Sequence, residues 1–119
     1  MTARPAPADK GERREEALRP SRYLGYDRDT LAMHLMSREV FDAAESQFRR
    51  AIWLNPFQPR FKWHLAWCLY RQGRFAEARQ WATQAVSQAP QEAEFRRLLE
   101  LIEVRLAAQS RDQERHTEA

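Results

Sequence analysis

The stretch LAMHLMSREVFDAAESQFRRAIWLNP, residues 31–56, returns 34 residues later as LAWCLYRQGRFAEARQWATQAVSQAP, residues 65–90. Laid over one another, Leu31 falls on Leu65, Ala32 on Ala66, Leu35 on Leu69, Ala44 on Ala78, Ala51 on Ala85 and Pro56 on Pro90. Small residues recur where two helices must approach closely, and large ones recur where they fill the space between. Self-similarity at such a period marks stacked supersecondary units, each of which buries its apolar face against its neighbours.

The period inside each copy is helical. In the first copy, Phe41, Ala44, Phe48, Ala51 and Ile52 share a face, and the run stops at Asn55-Pro56, where proline disfavours helix in the residue before it. Ahead of it, Leu31, Met33, Leu35 and Met36 predict a helix with Asp27 or Asp29 as its acidic cap. A third helix is expected over about 60–72, ended by Gly73, and a fourth over about 75–88, halted at Ala89-Pro90. A fifth, about 91–108, aligns Phe95, Leu98, Leu99, Ile102 and Leu106. The short connections imply antiparallel neighbours. The helical domain is thus expected over 23–109, between a disordered leader (1–22, with three of the six prolines) and a polar tail at 110–119.

Composition narrows the function. Only 3 Gly among 119 residues with 43% hydrophobic content favours an all-α protein. Of 20 basic residues 18 are Arg, but 17 acids are mixed among them and the net charge is only +3. Arg49, Arg50, Arg71, Arg74 and Arg79 share their helices with Asp42, Glu45 and Glu77, which weighs against nucleic-acid binding. The single cysteine, Cys68, excludes an internal disulfide framework and fits a reducing compartment. Neither a secretory h-region nor an apolar run long enough to span a bilayer is present, so a cytoplasmic protein is expected. His34, His64 and Cys68 make no closed metal site, and no phosphate loop or nucleophile–base order occurs. A non-enzyme without cofactor or metal follows as the expectation.

The repeat resembles the tetratricopeptide repeat, whose pattern over 34 residues is W-x2-L-G-x2-Y…A-x3-F…P. The tryptophan position is Arg28 in one copy and Lys62 in the other; the glycine is Ala32 and Ala66, the tyrosine Leu35 and Leu69. The middle alanine is Ala44 and Ala78, the phenylalanine Phe48 and then Ala82, the proline Pro56 and Pro90. The resemblance covers about 25–92. It implies a short solenoid of two repeats, about 25–58 and 59–92, with the fifth helix as a C-terminal cap.

It also implies that the first helix of each pair lines a concave face. Over FKWHLAWCLYR (61–71), Leu65, Ala66 and Leu69 form one stripe, and Trp63, Trp67 and Tyr70 a second about a third of a turn away. The second stripe, flanked by Arg60 and Arg71, is expected in the groove, beside Met33 and Met36 of the first repeat and Leu101 and Val104 of the fifth helix. Trp, Tyr and Arg are enriched in binding hot spots, and Met makes an adaptable apolar wall. Some repeats of the family hold an acidic C-terminal peptide in a Lys, Asn and Arg clamp. Those positions fall here on Asp29, Met33, His64, Glu94 and Leu98, none of which keeps that chemistry. The expected partner is therefore a protein segment, extended or helical, with apolar or aromatic anchors. The alternative is an obligate subunit or homo-oligomer with groove and cap buried in a larger complex.

Overall fold

Among residues 24–118, which the computed structural model describes, five helices and no strand occur: α1 Tyr26–Ser37, α2 Phe41–Leu54, α3 Pro59–Arg71, α4 Phe75–Gln88 and α5 Ala93–Glu118. The leader expected at 1–22 lies outside the described residues. The chain punctuation explains most helix ends. α2 and α4 stop just before Asn55-Pro56 and Ala89-Pro90. Pro59 occupies the first turn of α3, where no intrahelical donor is needed, and the Gln58 side chain accepts the Arg60 N–H at 3.0 Å.

The start of α1 differs from the expectation. Neither Asp27 nor Asp29 caps it; Gly25 does, with φ +87. Asp29 is instead buried within the helix. Gly25 sits where α1, α2 and α3 converge, and a Cβ there would lie 2.8 Å from the Phe61 ring and 2.9 Å from the Ala51 carbonyl oxygen. Only glycine satisfies both the left-handed backbone and the close approach.

The turns inside the two pairs are geometric copies. Glu39 (φ 61) occupies in the first the left-handed position that Gly73 (φ 78) occupies in the second. Val40 N–H donates to the Leu35 carbonyl at 2.9 Å, as Arg74 N–H donates to that of Leu69 at 3.0 Å. A glutamate pays the left-handed penalty that Gly73 avoids. Glu39→Gly is therefore expected to stabilise the protein by about 0.5–1 kcal/mol in urea unfolding, the strain relieved exceeding the entropy of glycine. Destabilisation would contradict this reading of the turn.

Each helix packs on its sequence neighbour, and α1 also touches α3, as α3 touches α5, so alternate helices lie side by side. Ala44, Ala51, Ala78 and Ala85 are completely buried, as close-approach positions require, and Phe48, Phe61, Leu65, Leu69 and Ile102 fill the space between layers. The equivalence of Leu31 and Leu65 does not extend to burial. Leu65 is enclosed, whereas Leu31 is 45% exposed, because α3 has helices on both sides and α1 lies at the end of the described stack. The polar tail expected at 110–119 is helical as far as Glu118, a continuation of α5 that is exposed through Thr117. Helix propagation adds a hydrogen bond for each residue ordered once a docked segment has supplied the nucleus.

Polar bonds tie the pairs together. Arg74 reaches Glu45 of α2 at 2.5 Å and Glu77 at 3.0 Å, while Arg49 adds a 2.9 Å contact to Glu45. Partial burial pushes the Glu45 carboxyl up, but the hydrogen bonds and charges of Arg74 and Arg49 together outweigh it and hold its pKa below the ordinary glutamate value. Its contribution to stability is thus present above the ordinary glutamate range and lost as pH falls through the lowered pKa. Glu45→Gln is expected to remove that part of the acid-side decline in melting temperature; an unchanged acid limb would contradict the ion cluster. Cys68 is fully buried, its thiol donating to the Phe41 carbonyl at 3.7 Å. Burial pushes its pKa up, so it is an inert packing residue.

Candidate functional site

Because α1, α3 and α5 lie side by side, their outward faces form one surface with a cleft of about 320 Å³. Met33 comes from α1, Trp63, His64 and Trp67 from α3, and Glu94, Arg97, Leu98 and Leu101 from α5. The helical spacing puts each set on one face: 63/67 on α3 and 94/97/98/101 on α5. Of the residues expected in a groove, Met33, Trp63, Trp67 and Leu101 meet here. Arg60 lies at the edge, its guanidinium 5.6 Å from the Trp63 ring centre and 4.0 Å from Glu94.

The others are placed differently. Met36 is only 4% exposed and belongs to the core between the pairs, so it cannot line a groove. Tyr70 lies off the cleft, stacked on Trp67 at 5.5 Å and tilted against Phe75 at 5.5 Å. Arg71 turns to the Phe41 ring at 5.4 Å and to Glu39 at 3.5 Å. Val104 lines a shallower hollow with Arg97, Glu100 and Leu101, which joins the cleft through Arg97 and Leu101.

The second stripe is therefore only half a surface feature. Trp63, Trp67 and Tyr70 are all partly buried against the core. Trp63 lies 5.1 Å from the His64 ring and 5.3 Å from Phe95 of α5, and its indole Nε1 is buried without a hydrogen-bond partner. It fastens α5 to α3 as well as walling the cleft. Trp63→Ala should then cost about 2–4 kcal/mol and Trp67→Ala about 1–2 kcal/mol in urea unfolding. Equal costs would mean that Trp63 does not anchor α5.

His64 was legible as a helix residue but not as a partner of Asp29. Its Nδ1 is 2.8 Å from the Asp29 carboxylate, with both side chains nearly enclosed. Two of the positions equivalent to a peptide-carboxylate clamp are thus bound to each other. Arg97 escaped the sequence reading altogether, although the 94/97/98/101 spacing on α5 carried the signal. Among the described residues no group of three or more His, Cys, Asp or Glu side chains could hold a metal ion. None of the described helices is long and apolar enough to cross a membrane.

Antiparallel helix pairs stacked at a 34-residue period, with alternate helices forming one continuous face, define a helical-repeat solenoid. A sequence model of the tetratricopeptide repeat matches residues 30–93, more than half of the chain. The chain belongs to the tetratricopeptide-repeat family. Repeats of this family generally mediate protein–protein interaction and are typically non-catalytic. No curated protein matches the sequence.

Proposed function

We propose that this protein is a non-catalytic interaction module that holds a segment of a partner protein in the α1/α3/α5 cleft. The observation that carries the reading is the apolar cleft itself, walled by Met33, Trp63, Trp67, Leu98 and Leu101 from three different helices. Its size suits one or two large side chains, and its walls are of the residue types that supply binding energy when desolvated. Arg97 in the lining favours a carboxylate beside the anchor, Arg60 at the edge being paired with Glu94, while the Asp29–His64 pair leaves no clamp for a chain terminus.

A second reading, a permanent subunit or homo-oligomer, is favoured by Val104, 65% exposed on α5 beyond the cleft, which extends the apolar surface of Leu101, itself 46% exposed. One comparison separates the two. Full-length wild type, Trp67→Ala and Val104→Glu are used in parallel for capture from native lysate and for sedimentation analysis. The cleft reading expects the captured proteins to fall about tenfold for Trp67→Ala, with the wild type monomeric. Self-association abolished by Val104→Glu and untouched by Trp67→Ala would replace it with the second reading. Identical capture by all three chains would remove both.

A further inference from the structure

Outside the cleft, the outer face of α2 carries a feature that the repeat does not need. Arg28 of α1 and Ser46, Gln47, Arg49, Arg50 and Trp53 of α2 surround an open pocket of about 490 Å³, with three arginines and no carboxylate in its lining. Trp53 is 69% exposed, and so is Phe57 four residues further on. The Arg50 guanidinium lies 5.2 Å from the Trp53 ring centre, and Arg28 donates to the Gln47 side chain at 3.2 Å, which holds its cation at the pocket wall. Arg49 is already committed to Glu45 and Glu77. Among the described residues neither Arg28 nor Arg50 has an ion-pair partner.

The second repeat serves as an internal control. At the equivalent positions Arg50 becomes Gln84, Trp53 becomes Ser87 and Phe57 becomes Gln91. The α4 helix forms and packs the same way with these polar residues. Folding therefore does not require an exposed indole, an exposed phenyl ring and an unpaired cation at this place. An exposed tryptophan is costly to leave in water and is among the residue types that dominate protein interfaces.

We propose that this face of α2 is a second docking surface, for a protein segment that sets a carboxylate beside an aromatic or aliphatic side chain. The apolar group would lie on Trp53 and the carboxylate would pair with Arg28 and Arg50, whose charge no described residue lining the pocket balances. A nucleic-acid strand fits less well. It needs cations along several successive phosphates, whereas Arg28 of α1 and Arg50 of α2, without ion-pair partners among the described residues, offer one short contact flanked by the acids that hold Arg49. The surface shares no lining residue with the α1/α3/α5 cleft, so either can fail without the other.

The test uses the full chain and a phage-displayed random peptide library. Selected peptides are labelled and titrated by fluorescence anisotropy against wild type, Trp53→Ala, Arg50→Glu and Trp67→Ala, each first checked for unchanged helical circular dichroism. The proposal expects a peptide class that combines Asp or Glu with a nearby aromatic or aliphatic residue. Its affinity should fall about tenfold or more in both Trp53→Ala and Arg50→Glu and stay unchanged in Trp67→Ala. Failure to recover any peptide sensitive to Trp53, or recovery of sensitive peptides without acidic residues, would overturn it. Two further arms name the competing occupants. Labelled oligothymidylate binding that depends on Trp53 would assign the surface to nucleic acid. Wild-type self-association lost in Trp53→Ala would assign it to a second copy of the chain. Either result also overturns the proposal.

Discussion

Leu69→Ala is expected to cost about 2–5 kcal/mol, a large share of the roughly 5–15 kcal/mol that holds a small domain folded. Leu69 is wholly buried on α3, the helix with neighbours on both sides. Truncation removes its transfer free energy and leaves a cavity whose walls include other fully enclosed side chains. The repeat provides the control. Leu35 holds the same position on α1 but is only partly buried, packed against the cluster from its edge. Leu35→Ala should cost clearly less, because the outer side of the site is already open to water and no closed cavity results. Urea unfolding followed by circular dichroism measures both. Equal losses, or a loss at Leu69 below about 1 kcal/mol, would mean that α3 is not the centre of the stack.

Gly25→Ala is expected to be nearly as severe, at about 2–5 kcal/mol, although it adds a single methyl group. Two costs combine. The left-handed backbone at φ +87 penalises any side chain, and the new Cβ meets the Ala51 carbonyl and the enclosed Phe61 ring inside contact distance. A backbone oxygen and a buried ring cannot move aside as a flexible side chain would. Gly73 separates the terms, since it has nearly the same conformation, φ +78, with nothing within 4 Å of the added group. Gly73→Ala should show only the conformational part, about 1–2 kcal/mol. If both substitutions shift the urea midpoint equally, the convergence of α1, α2 and α3 at Gly25 is looser than the structure has it.

The distinction between Trp63 and Trp67 shows where reading a single helix reaches its end. Both lie on one stripe of α3, and both were expected to serve something outside the chain. The docking of α5 brings Phe95 against Trp63 and encloses its indole nitrogen, while Trp67 keeps a wall of the cleft. Which residue of a stripe is covered depends on the crossing position of another helix, information absent from the stripe itself. Arg97 was missed and Met36 misplaced for the same reason: a helical wheel orders directions but does not say which direction faces a neighbour.

What the amino-acid sequence determined by itself was periodic and, for the most part, local, the start of α1 being the exception, where Gly25 and not Asp27 or Asp29 is the cap. The 34-residue spacing of Pro56 and Pro90, the alanines at 44, 51, 78 and 85, and Gly73 between paired helices specified the pairs, because each acts through backbone geometry or the volume at a helix crossing. Only the tertiary structure decided burial. Leu31 and Leu65 sit in the same local sequence, yet one faces water and the other is sealed, since a neighbouring helix lies on just one of them. It alone paired Asp29 with His64, residues from different repeats, and left Trp53 and Arg50 uncovered on α2. Such pairings arise from distances between helices set by the packing of the whole stack, and no spacing along the chain encodes them directly.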